Sequence, residues 1–215
     1  MKKINALSLV ISFLLFNSNT LFAQWIGIPD KDNYLNAQQI SSGSTTFKAQ
    51  CSDGSGGAIY AWSPQDAEFN LDVKVNRIDS AGKIRWGISG IFIGNTSGYQ
   101  VLSTMIEDGH GGCYIAYIDA TLGGNMIVQH IDSNGTALWG NGIQAFSYAN
   151  QLGQSNASMV NNNGNGMFIA VEAVYIGGAD GIRAQKFNYN GVKQWGSGGS
   201  NVNIQIGRAS CRERV

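Results

Sequence analysis

Cysteine, proline and histidine are all scarce in this 215-residue chain, which holds three cysteines, two prolines and two histidines against 29 glycines. So few cysteines exclude a disulfide framework of the kind that holds small secreted folds together. Two histidines, with no His-Glu-x-x-His and no paired Cys-x-x-Cys, leave zinc without a ligand set. No apolar run reaches the roughly 20 residues that a membrane-spanning helix needs. No Gly-x-Ser-x-Gly elbow occurs, and no glycine-rich loop supplies the lysine of a nucleotide site. Only 13% of residues are charged, and the formal net charge is zero.

The two ends differ from the rest. Residues 1–23 carry Lys2 and Lys3, an apolar core from Ala6 to Phe16 broken by Ser8 and Ser12, and a close at Leu21, Phe22 and Ala23. This is the pattern of a secretory signal peptide cut before Gln24, and it predicts a secreted, extracellular or cell-surface protein. Residues 206–215 read IGRASCRERV, with three arginines and a cysteine. They resemble the in-frame translation of a sequencing adapter and are read as an artefact, which makes the chain a fragment; the alternative is a genuine basic tail. Setting Lys2, Lys3, Arg208, Arg212, Arg214 and Glu213 aside leaves 9 basic and 13 acidic residues. A mildly acidic remainder argues against nucleic acid as a partner.

Between those ends the chain repeats. Asp79–Gly87 (DSAGKIRWG), Asp132–Gly140 (DSNGTALWG) and Asn188–Gly196 (NYNGVKQWG) align, and their tryptophans stand 53 and 56 residues apart. A second block aligns Asp53–Trp62, Asp108–Tyr117 and Asn163–Val171, the last with a turn one residue shorter. Two anchors in fixed order, three times, define a unit of about 54 residues, with copies at about 37–92, 93–145 and 146–200 and the beginning of a fourth at Gly198–Gln205.

Each unit reads as four short antiparallel strands, an all-β organisation. In the middle copy these are Gln100–Glu107, Cys113–Ile118, Met126–Ile131 and Thr136–Trp139, with a glycine-rich turn at Asp108–Gly112. The mostly apolar Cys113–Ile118 suits a strand buried on both faces. The recurring Asp79, Asp132 and Asn188 fit the first position of a type I turn, and Gly82, Gly135 and Gly191 fit the left-handed position that closes it. Trp86, Trp139 and Trp195 are expected to lock neighbouring units. Such a sheet is apolar on both faces and must be covered by its neighbours.

Four-stranded units of this length suit β-propeller blades, and kelch and WD repeats have comparable periods. The D-x-x-G-x-x-x-W hairpin resembles the tryptophan-docking hairpin of quinoprotein-like propellers. Together with the DGxGG turns and a leader ending Phe-Ala-Gln, it looks like the repeat proteins secreted by Bacteroidota, and that resemblance implies a type IX secretion sorting domain beyond residue 205. The expected architecture is a partial β-propeller, an open arc of about three blades, because closure takes four to eight.

The candidate chemical groups all have structural alternatives. His110 sits in a turn whose counterparts are Ser55 and Asn165, and His130 aligns with Arg77 and Lys186, which suggests a solvated or hydrogen-bonded strand residue. Asp53, Asp108, Asp79 and Asp132 lie in turns where backbone bonding explains them; weak calcium binding is the alternative. Tyr60, Trp62, Tyr114 and Tyr117 could stack on sugars, yet their apolar neighbours favour core packing. Cys51 and Cys113 fall at different places in their repeats and read as two small buried thiols, although export makes a bond chemically possible. No catalytic, cofactor or metal residue is assigned. The expectation is a non-enzymatic binding or adhesion scaffold for extracellular protein or glycan. The alternatives are a fragment of a propeller enzyme, a glycan hydrolase or quinoprotein-like oxidoreductase with its catalytic groups beyond residue 205, and a purely structural surface repeat.

Overall fold

The computed structural model describes residues 45–65, 70–94, 98–147, 151–175 and 181–202. The leader, Gln24 and the adapter-like tail lie outside the described residues. Those described form an all-β chain with three antiparallel four-stranded sheets, each in simple sequential order. The first holds β1 (Thr45–Ser52), β2 (Ala58–Pro64), β3 (Val73–Ile78) and β4 (Ile91–Gly94). The second holds β5 (Gln100–Glu107), β6 (Cys113–Asp119), β7 (Asn125–Ile131) and β8 (Ile143–Gln144). The third holds β9 (Gln151–Asn161), β10 (Gly166–Tyr175), β11 (Gly181–Asn188) and β12 (Ser200–Val202).

The sheets stack face to face, with the first strand of each lying along the preceding sheet: β1 with β5 and β5 with β9 form the largest contacts between sheets. Two apolar clusters fill the gaps. Ile59, Ala61, Val73, Val75, Trp86 and Ile93 of the first sheet meet Leu102, Met105, Cys113, Ile115, Tyr117, Ile127 and Ile131 of the second. The other face of the second sheet sends Tyr114, Ala116, Met126, Val128, Trp139 and Ala145 against Met159, Met167, Ile169, Val171 and Phe187 of the third. Side chains alternate along a strand, so burial depends on a sheet's place in the stack. In β6 all residues but Ile118 are buried, whereas β2 alternates between buried and half-buried. The apolar run of β6 thus has the two-sided cover expected of it.

The tryptophans bridge the gaps. Trp86 Nε1 donates to Ser133 O at 3.2 Å, and Trp139 Nε1 donates to Tyr189 O at 3.1 Å, so each indole bonds the hairpin of the next sheet. Trp86 and Trp139 are each 8% exposed, while Trp195, on the outer face of the third sheet, is 41% exposed. The recurrent hairpin glycine has two jobs in consequence. Gly135 takes φ +88, and a Cβ there would lie 2.8 Å from Trp86 Cγ and 2.7 Å from Ile91 Cδ1. Gly191 offers the same seat to Trp139 and Ile143. Gly135→Val should therefore lower the free energy of unfolding by about 3 kcal/mol, from left-handed strain and overpacking together, and a urea titration would show this as a lower midpoint.

Three expectations need correcting. The fourth strand is not Thr136–Trp139: Ala137 makes a single bridge to Ile131, and the sheet's fourth strand is Ile143–Gln144, opposite Ile127 and Val128. A side-chain amide is the cause. Gln129 Oε1 accepts from the backbone N–H of both His130 (2.9 Å) and Trp139 (3.0 Å), and its Nε2 donates to Gly140 O at 2.8 Å, so the amide replaces the ladder where the tryptophan turns in. Asn76 clamps Trp86 and Gln185 clamps Trp195 in the same way.

Second, the third glycine-rich turn is not a residue short. Asn162 N–H bonds Gly166 O just as Asp53 N–H bonds Gly57 O and Asp108 N–H bonds Gly112 O. Asn163 takes φ +50 in the place of Gly54 and Gly109, a conformation that asparagine tolerates. Asn162, not Asn163, is the counterpart of the two aspartates, and Gly164 rather than Asn165 that of His110. Third, Ser200–Val202 is the last strand of the third sheet, paired with Ile182–Ala184, and does not begin another unit.

Candidate functional site

Antiparallel order places two kinds of connection at opposite ends of every sheet. One end carries the turns between first and second strands (53–57, 108–112, 162–166) and the hairpins after the third (79–83, 132–136, 188–192). These recur in all three units. Asp79 Oδ1 accepts from Ala81 N–H (3.0 Å) and Lys83 N–H (2.9 Å), Asp132 Oδ1 from Asn134 N–H (2.9 Å) and Thr136 N–H (2.7 Å), and Asn188 Oδ1 from Val192 N–H (2.9 Å). Gly82, Gly135 and Gly191 all have positive φ. The repeat residues read from the sequence thus sit in turns and interfaces at this end.

The same end holds the buried ionic groups. Asp53 Oδ1 accepts from Ser55 and Gly57 N–H at 2.8 and 2.7 Å, and its Oδ2 pairs with Arg77, 2.9 Å from both Nε and Nη2. Arg77 also donates to Ser133 O at 3.1 Å, beside the Trp86 indole bonded to that carbonyl. Asp108 repeats the pattern: Oδ1 accepts from His110 and Gly112 N–H at 2.7 and 2.8 Å, and Oδ2 lies 2.9 Å from His130 Nε2. Burial opposes ionisation of both carboxylates. Backbone hydrogen bonds and Arg77 at Asp53, and the His130 hydrogen bond and backbone hydrogen bonds at Asp108, outweigh it and hold both below the usual aspartate value.

His130 is fully buried, packed on Tyr114 and edge-on to Tyr189, with ring centroids 4.4 and 4.7 Å away. Of the two readings of this histidine, the hydrogen-bonded one holds and the solvated one does not. The pair lies between two sheets, where no dissolved substrate meets it, and its chemistry is structural. His110 is an exposed turn residue whose Nε2 lies 3.0 Å from Gly164 O in the neighbouring turn. Tyr114 and Tyr117 belong to the core, and burial, followed by the charge of Asp119, pushes the Tyr117 hydroxyl up to about 12. Tyr60 and Trp62 are half-buried and stack on each other, centroids 5.5 Å apart.

The opposite end differs from unit to unit. Between β2 and β3 the chain passes through Gln65, bridged to Leu71, whereas between β6 and β7 it forms a single 3-10 turn, Ala120–Leu122, capped by Asp119. Asp119 Oδ1 accepts from Thr121 N–H at 2.9 Å, and Gly123 closes the turn at φ +75. Ala120 N–H bonds Tyr99 O at 2.9 Å, which fixes this turn beside the entry to β5. The result is a small patch in which Tyr99 is 44% and Leu122 52% exposed, next to exposed Thr121. An open aromatic ring and an aliphatic side chain thus stand on fixed backbone, with the Thr121 hydroxyl donating to Asp119 Oδ1 beside them. Sequence reading missed this patch, because neither Tyr99 nor Leu122 belongs to a recurring block.

Among the described residues no group of three or more His, Cys, Asp or Glu gathers as a metal site, and no helix is long and apolar enough to cross a membrane. No protein-family model, no curated protein and no solved structure matches the chain.

Proposed function

We propose that the chain is part of a secreted or cell-surface scaffold of propeller-like blades, with its variable end contacting extracellular protein or glycan. The observation that carries this reading is the division between the two ends. The recurrent side chains Asp79, Asp132 and Asn188 bond their turns and Trp86 and Trp139 bond the next sheet, whereas among the described contacts the open, non-recurrent side chains Tyr99 and Leu122 have no comparable structural work. Loops held by a rigid β framework are where binding groups concentrate.

The blade arrangement draws support from the outer face of the third sheet. Trp195 is open there, Val160 is 62% exposed, and half-buried Phe168 lies 5.8 Å from the indole, centroid to centroid. Another unit of the same kind would bring a hairpin carbonyl to Trp195 and cover all three. Neighbouring first strands pack together closely, as in a radial fan.

Glycan arrays and a panel of purified extracellular proteins test the binding reading. A ligand retained by the wild-type chain should bind at least about tenfold more weakly to the Tyr99→Ala/Leu122→Ala variant, as expected when an aromatic anchor is removed. Ser55→Ala, at the recurrent end, should leave binding unchanged. The reading fails if no probe binds, or if Ser55→Ala abolishes binding while the double variant retains it.

A further inference from the structure

Cys51 and Cys113 belong to different sheets and meet between them. Cys51 lies on β1 opposite Ile59, and its side chain packs into the first apolar cluster, where Cys113, the opening residue of β6, is fully buried. The two thiols are near enough for Cys51 to act on the ionisation of Cys113. Their places in the repeat do not suggest a pair, because one sits at the end of a first strand and the other at the start of a second. Stacking resolves this. The first strand's forward-facing residue in one unit meets the second strand's opening residue in the next. At the following interface the same two places hold Ile106 and Met167, both part of the second apolar cluster.

We propose that Cys51 and Cys113 form a disulfide that staples the first sheet to the second. The two residues differ in access, and this sets the order of events. Cys51 is half-buried, whereas Cys113 is sealed. Burial, followed by the hydrogen bond and charge of Cys51 and the charge of Asp108, pushes the Cys113 thiol well above its ordinary range. An external small disulfide such as oxidised glutathione therefore reacts first at Cys51. The Cys51 thiolate attacks one glutathione sulfur, and one glutathione leaves as thiolate. Cys113 then gives up its proton, attacks Sγ of Cys51 and expels the second glutathione. Two protein thiols lose two hydrogens, and one glutathione disulfide becomes two glutathiones.

The test uses the full chain with Cys211→Ser, so that only this pair remains. The reduced protein is equilibrated with oxidised and reduced glutathione, quenched with an alkylating agent in denaturant, and measured by intact mass and non-reduced peptide mapping. The expected product is a monomer lighter by two hydrogens, refractory to alkylation, with one peptide pair joined through Cys51 and Cys113. The same redox mixture in strong urea should give at least about tenfold less of it, because the folded geometry holds the sulfurs together. The linked form should melt about 5–10 °C above the reduced form, as expected for closing a loop of this size. In the further variant Cys51→Ser, Cys113 should acquire no glutathione while the chain stays folded, as judged by circular dichroism. The proposal is overturned if both cysteines alkylate after oxidation. A stable glutathione adduct on Cys51 beside a free Cys113, or dimers joined through two Cys51 residues, would overturn it equally.

Discussion

Trp139→Ala is expected to destabilise the chain by about 3–5 kcal/mol, whereas Trp195→Ala, at the same place in the next unit, should cost less than about 1 kcal/mol. The two residues share their hairpin, their preceding glycine and their amide clamp. They differ in what lies beyond. The Trp139 ring stacks on Phe187 with centroids 5.7 Å apart, sits 5.6 Å from both Tyr114 and His130, and bonds Tyr189 O. Its removal deletes an indole of about 150–250 Å² from a packed interface and leaves a cavity lined by aromatic rings that cannot close over it. Among the described residues Trp195 has Phe168 beside it and no facing sheet. Urea unfolding of both variants against the parent chain measures the difference. Equal losses would mean that the indole works within its own hairpin and not between sheets.

The second large effect is expected at Asp108. Asp108→Ala removes the partner of a fully buried histidine and two turn hydrogen bonds at once, a loss of about 3–5 kcal/mol near neutral pH. Its pH dependence follows from the direction of the carboxyl shift. The native Asp108 carboxyl titrates below the ordinary aspartate value of 3.8. Its ionic contribution is therefore complete above that value and fades as pH falls through the lower native value. The part of the stability gap between parent and variant that comes from this carboxylate should shrink below about pH 4. Asp79→Ala serves as the contrast, since it removes the same kind of turn hydrogen bonds while Asp79 Oδ2 lies 3.6 Å from an exposed Arg85, and a solvent-exposed pair contributes little. A gap for Asp108→Ala that stays constant down to pH 2 would show that the carboxylate charge adds nothing to the fold.

Much of the framework was legible in the sequence because it repeats. Gln100–Glu107 is a strand with the bounds expected from its alternation, and the Asp-x-x-Gly spacing located each hairpin, since only a few residue types serve those turn positions. The fourth strand was misplaced because an amide side chain, not a backbone partner, holds the chain after the hairpin. The signal was present in the triplets Val75–Arg77, Val128–His130 and Ala184–Lys186, where an Asn or Gln interrupts an apolar strand just before a basic residue. Asp108 and His130 were each seen to recur by position, yet their pairing joins a turn to a strand 22 residues on, and no local pattern reports it. The cysteine contact was hidden for a related reason: it joins unlike positions of successive units and becomes visible only when the sheets are stacked. The Tyr99 and Leu122 patch left no trace, because neither residue belongs to a recurring block.

The middle sheet, covered on both faces, also sets the order in which the chain loosens. In a stack where each layer touches only its neighbours, opening an end layer exposes one interface, whereas opening the middle layer exposes two. Amide hydrogens of β6 and β7 should therefore exchange only through the largest opening event, and those of β2 and β10 through smaller, partial ones. The first and third sheets can be shed singly, while the second can be lost only together with the cooperativity of the whole. A bond between Cys51 and Cys113 would remove one of those two exits and leave the third sheet as the remaining site of fraying.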